Sequence, residues 1–111
     1  MTQDEVKVVY HQSGGQSSRH DVLLFRAWKE GVSDFVWNRA MVDKHDGLTL
    51  FYERDDYVDT LRFPHAKCGW SGTGPQATVT ILTEAGFGVD DPDQLEADVY
   101  TNDSCEFTRT L

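Results

Sequence analysis

The chain is short of cysteine, proline, basic residues and long apolar runs, and each shortage excludes something. Its two cysteines, Cys68 and Cys105, are far apart and form no Cys-x-x-Cys pair. That rules out a disulfide framework and predicts a reduced, cytoplasmic chain. No apolar run exceeds four residues, too few to cross a membrane. The opening Met1-Thr2-Gln3-Asp4-Glu5 lacks the basic and apolar regions of a secretory signal. Ten Lys and Arg stand against 19 Asp and Glu, a net charge of −9. Phosphate repulsion therefore argues against long nucleic acid as a partner, though not against a small anion in a local basic pocket.

What is present is enough for one folded domain, residues 1–111. The chain is 39% apolar and 26% charged, a globular balance. A chain of this length buries roughly two-thirds of its unfolded surface, so it needs no disulfide framework or metal to fold. The charge is uneven. Residues 84–111 carry Glu84, Asp90, Asp91, Asp93, Glu96, Asp98, Asp103 and Glu106 against one base, Arg109, a net of −7. Residues 1–83 hold eleven acids and nine bases, a net of −2.

Alternation at Val6, Val8 and Tyr10 predicts a short strand. His11 to His20 is rich in Gly and Ser and predicts a polar, mobile loop. Val22–Lys29 and Asp34–Ala40 read as hairpin arms around Glu30-Gly31-Val32-Ser33, setting Lys29 against Asp34, Trp28 against Phe35 and Arg26 against Trp37. A second hairpin, Leu48–Arg54 with Tyr57–Phe63, turns at Asp55-Asp56. It pairs Leu48 with Phe63, Leu50 with Leu61, Thr49 with Arg62 and Glu53 with Val58. Pro64 ends it. Ala77, Ile81, Leu82 and Ala85 recur at helical spacing, predicting a helix over Pro75–Ala85 with Gly86 left-handed behind it and Phe87 folding back. Asp91-Pro92-Asp93-Gln94 predicts a short helix capped by Asp91 and running to about Ala97. Asp98–Thr101 and Cys105–Thr110 suggest a last hairpin. The expected fold is α+β: a mostly antiparallel sheet of five to seven strands with one principal amphipathic helix on one face.

Three features could carry chemistry. Gly69, Trp70, Ser71, Gly72, Thr73 and Gly74 lead into the Pro75 helix. A helix start offers unpaired N–H groups to an anion, glycines permit close approach, and Trp70 offers a stacking face. Lys67 lies just upstream. The loop lacks the Gly-Lys-Ser/Thr of a Walker motif, and its simpler reading is a tight connection capped by Ser71 or Thr73. Second, arginines alternate with aromatics: Arg26 with Trp28, Trp37 with Arg39, Tyr52 with Arg54. Such pairs stack, and they also sandwich a nucleobase or serve a plain sheet face. Third, His11, His20, His45, His65, Cys68 and Cys105 are metal-ligand types, but only His65 and Cys68 have ligand-like spacing. No metal, cofactor or catalytic residue is expected: zinc-deaminase spacing and a Gly-x-Ser-x-Gly elbow are both absent.

The stretch from Cys68 to Ala85 resembles a family of small uncharacterised bacterial and phage proteins, in which an aromatic–Gly–Gly–Ser/Thr–Gly–Pro loop opens a similar helix. Here Ser71 replaces the first of the paired glycines. The small, acidic, β-rich character is also similar to that of phage anti-defence sponges, which sequester cyclic nucleotides or cyclic ADP-ribose in the host cytoplasm. That likeness implies a ligand held between protomers of an oligomer. The leading expectation is therefore a non-enzymatic binder of a small phosphorylated or nucleotide-like ligand. Its site would be residues 69–74, with Trp37 stacking and Arg26, Arg39, Arg62 and Lys67 neutralising charge. The alternative is an acidic interaction module, of the immunity or DNA-mimic type, that binds a basic protein through residues 90–103.

Overall fold

The computed structural model describes the backbone at 7–12 and the whole of residues 16–31 and 37–109. Eight elements follow in order: β1 (Lys7–Gln12), α1 (Ser18–Gly31), β2 (Arg39–Asp43), β3 (Gly47–Arg54), β4 (Tyr57–Phe63), α2 (Thr73–Glu84), α3 (Pro92–Thr101) and β5 (Ser104–Thr108). The strands lie in the order β1-β4-β3-β2-β5. The fold is α+β, as expected, with two corrections. The antiparallel sheet comprises four strands, β4-β3-β2-β5, not five to seven, and β1 joins β4 in parallel at its edge. The described residues form three helices, not one principal helix.

The β3–β4 hairpin has the expected register, with Leu48 on Phe63, Thr49 on Arg62, Leu50 on Leu61 and Glu53 on Val58. Its turn is short and its alternation sharp, so a one-residue slip would turn every core side chain outward. Before it, the Asp43 carboxylate accepts the N–H groups of His45 at 2.8 Å and Asp46 at 3.1 Å. Those bonds hold Asp43 below the ordinary carboxylate range. The chain then turns through Gly47 at φ +93°, where a Cβ would meet the Phe63 carbonyl oxygen at 2.4 Å. Only glycine fits there.

The segment at Val22–Lys29 is helix α1, not a strand. Ser17 Oγ caps it by accepting the His20 N–H at 3.1 Å. Val22 is the single β-branched residue in the 14-residue helix, and its leucines, alanine, arginines and lysine favour helix. His11 and Gln12, expected in a loop, belong to β1, and His20 belongs to α1. Val6, residues 13–15 and residues 32–36, with the expected Asp34 and Phe35 pairs, lie outside the described residues. At the other end, Asp98–Thr101 finishes α3 instead of forming a hairpin arm, and β5 pairs with β2.

Helix α2 is as expected, starting two residues earlier. Gly86 at φ +98° donates to Thr83 O at 3.1 Å, and Phe87 donates to Leu82 O at 2.9 Å. That is the Schellman pattern, and buried Phe87 closes it. Asp91 caps α3, accepting the Gln94 N–H at 3.1 Å. Helix α1 packs on α2, and α2 on α3. Their buried Phe25, Ala77, Ile81, Leu82, Leu95 and Val99 meet Ala40, Val42, Leu48, Leu50, Leu61 and Phe63 of the sheet. Phe25 and Phe63 stack edge to face at 5.9 Å, worth ~0.5–1.5 kcal/mol beyond their burial. The other sheet face carries Arg39, Met41, Thr49, Phe51, Glu53 and Arg62, and no described helix covers it. Among the described residues no helix is long and apolar enough to cross a membrane.

Candidate functional site

The glycine loop makes room for its own tryptophan. A Cβ on Gly72 would meet Trp70 Nε1 at 2.5 Å, and one on Gly74 would meet Trp70 Cζ2 at 3.5 Å. The Trp70 indole therefore lies over the first turn of α2, still 40% exposed. Neither Ser71 nor Thr73 caps the helix: Gly72 is its N-cap, in extended backbone, with no side-chain cap bond. Behind the loop, Gly69 donates to Val99 O at 2.8 Å, and Gly74 O accepts the Lys67 N–H at 3.3 Å. Thr78 Oγ1 donates to Lys67 O at 2.6 Å. Lys67 thus stays beside the loop, as expected.

The other proposed ligand residues do not gather there. Arg26 lies at the far end of α2, where it grips both oxygens of Glu84 at 2.6–3.1 Å. A 12-residue helix separates its ends by about 18 Å. Lys29 Nζ donates to Glu84 O at 2.9 Å, and Arg109 Nη1 to Ala85 O at 2.8 Å. These three cations satisfy the negative C-terminal end of α2, which has no base of its own in the last turn. Arg39 sits on the open sheet face, bonded to Glu53 Oε1 at 2.5 Å, 3.7 Å from Glu106 and 4.1 Å above the Phe51 ring. Arg62 donates to Asp46 O at 3.0 Å on that face. Trp37 is buried in the core and presents no stacking face. Arg26 and Trp28, on a helix, cannot form the expected strand alternation. Arg54 does stack, 4.8 Å from the Tyr52 ring and 4.6 Å from the Tyr57 ring. Burial, with the Asp59 carboxylate second, raises the Tyr57 hydroxyl.

Cys68 and Cys105, distant in sequence, lie side by side in the fold. Burial pushes the Cys68 thiol up to about 12, with Cys105 adding to the shift. Burial, then Asp98, raises Cys105. Its Sγ–H donates to Asp98 O at 3.3 Å. Both are held as thiols, the unreactive form. Among the described residues no three of His, Cys, Asp and Glu come together to hold a metal.

The region left uncommitted is acidic. From Asp90 to Asp98 there are five acids and no base. Leu95 and Val99 turn inward, so Asp90, Asp91, Asp93 and Glu96 are exposed. Among the described residues no cation pairs with these four, whereas Glu84, Asp103 and Glu106 each face one. Between this segment and β5 runs a groove of about 730 Å³, with Leu95 and Phe107 in its lining, Asp90, Asp91 and Asp98 along it, and Arg109. The acid run was legible in the sequence. The groove was not, because it depends on β5 leaving α3 to pair with β2. No family model, curated protein or solved structure matches this chain.

Proposed function

We propose that the protein is a non-enzymatic interaction module that binds a basic protein partner through the acidic surface of residues 90–98. One observation carries this reading: the chain's excess charge is concentrated in an exposed run where, among the described residues, no cation pairs with Asp90, Asp91, Asp93 or Glu96, while Arg26, Arg39, Arg54, Arg62 and Arg109 are committed elsewhere. Charges bonded within the fold are costly to redirect. Exposed, unpaired charges of one sign attract an opposite partner over a Debye length, about 10 Å at 0.1 M salt. The same surface speeds association and rejects acidic competitors.

A second reading keeps residues 67–74 as a site for a small phosphorylated or nucleotide-like ligand, as in a sponge between protomers of a homo-oligomer. It is favoured by the uncapped first turn of α2 beside Lys67 and exposed Trp70. It loses Arg26, Arg39, Arg62 and Trp37 as contributors. The two readings separate by titration with a lysine-rich peptide at about 20 mM salt. The acidic reading expects binding that weakens about tenfold in Asp90→Asn/Asp91→Asn/Asp93→Asn, and similarly in about 0.3 M salt. No peptide binding, with a melting temperature raised by cyclic nucleotides or ADP-ribose derivatives, would move the function to the loop.

A further inference from the structure

Among the described residues, strand β5 ends the sheet, pairing with β2 alone. Lys44 N donates to Asp103 O at 2.9 Å, and Arg109 N to Asn38 O at 3.0 Å. In an antiparallel ladder such bonds recur at every second residue. Cys105 and Phe107 therefore bond inward to β2, and the N–H and C=O groups of Ser104, Glu106 and Thr108 point to the open edge. These three residues are also exposed at their side chains. The inward row of β5 borders the groove lined by Asp90, Asp91 and Asp98.

We infer that the open edge of β5 takes an extended, basic segment of the partner as an added strand. The inference rests on the acidic-partner reading and gives it a geometry. An added strand satisfies the free N–H and C=O groups of Ser104, Glu106 and Thr108. Its residue opposite Phe107 projects into the groove among the aspartates, and its residue opposite Glu106 meets that carboxylate on the other face. Lysine or arginine fits both positions. A second copy of this chain does not fit. Two β5 edges pairing antiparallel about Glu106 would set the two Glu106 carboxylates against each other, which is destabilising, between chains that each carry −9.

The test uses a capped peptide alternating lysine with valine and threonine, and the same peptide N-methylated on every second residue in each of the two phases. N-methylation keeps the charge and removes the donors on one edge. The parent peptide should bind at low salt and slow amide exchange at Glu106 and Thr108. One of the two methylated forms should bind at least tenfold more weakly. Thr108→Pro, which removes an outward N–H and no bond to β2, should weaken the parent equally. If both methylated forms bind like the parent while Asp90→Asn/Asp91→Asn still weakens binding, strand addition is wrong and the acidic surface stands. If the parent does not bind at all, both fall. Exchange protection at Glu106 from self-association, without peptide, would also overturn the inference.

Discussion

The guanidinium of Arg26 and the carboxylate of Glu84 join α1 to the end of α2 through a forked contact, its shortest bond 2.6 Å. One of the four cations expected to neutralise a ligand's charge is thereby spent on holding two helices together. Arg26 lowers the Glu84 carboxyl by donating hydrogen bonds to it, the larger effect, and by direct attraction. A carboxylate whose folded-state value is depressed stabilises the protein above its ordinary range, and that stabilisation disappears as pH falls through the depressed value. Melting temperature should accordingly fall below about pH 4.5 in the parent chain. Glu84→Gln should be less stable at neutral pH and show a shallower acid decline, measured by circular dichroism across pH 2–7.

Gly47→Ala should destabilise the fold by roughly 2 kcal/mol or more, from a left-handed backbone and a Cβ 2.4 Å from the Phe63 carbonyl. Urea unfolding measures it. The flanking hairpin cannot move aside without breaking the Leu48–Phe63 register.

The two cysteines should resist alkylation in the native state. Because the folded-state value of Cys68 lies near 12 against 9.0 for a free thiol, the contribution of this thiol to stability is intact below about pH 9. It declines as pH rises toward 12, by at most about 1.4 kcal/mol per unit. Iodoacetamide at pH 8 should label the unfolded chain quickly and the folded chain slowly. Cys68→Ser should flatten the alkaline limb of the stability curve.

Where structure follows from near neighbours, the sequence was sufficient. The β3–β4 register depends on a short turn and one alternation. The left-handed Gly86 and the Asp91 cap depend on bonds between residues three to five apart. Helix α1 was read as a strand because Val22-Leu23-Leu24-Phe25 satisfies both periods, and its Ser17 cap lay within an apparently structureless loop. The partner of β5 was missed because pairing between positions more than 60 residues apart in the chain leaves no local mark. The same distance effect dispersed the proposed site. The alternation of arginines and aromatics sets Arg26 and Arg39 beside Trp37 on one sheet face. A helix, an open face and a buried position separate them instead. The acid run needed no tertiary information, since α3 itself exposes it.

The most direct test is a residue-by-residue map of amide shifts in the labelled chain, titrated in parallel with a lysine-rich peptide and with ADP. The peptide should move the amides from Asp90 to Asp98, and those of Glu106 and Thr108, while ADP leaves Lys67 to Gly74 in place. Movement of Lys67 to Gly74 by ADP, with Asp90 to Asp98 unmoved by the peptide, would contradict the assignment of the acidic surface as the working face.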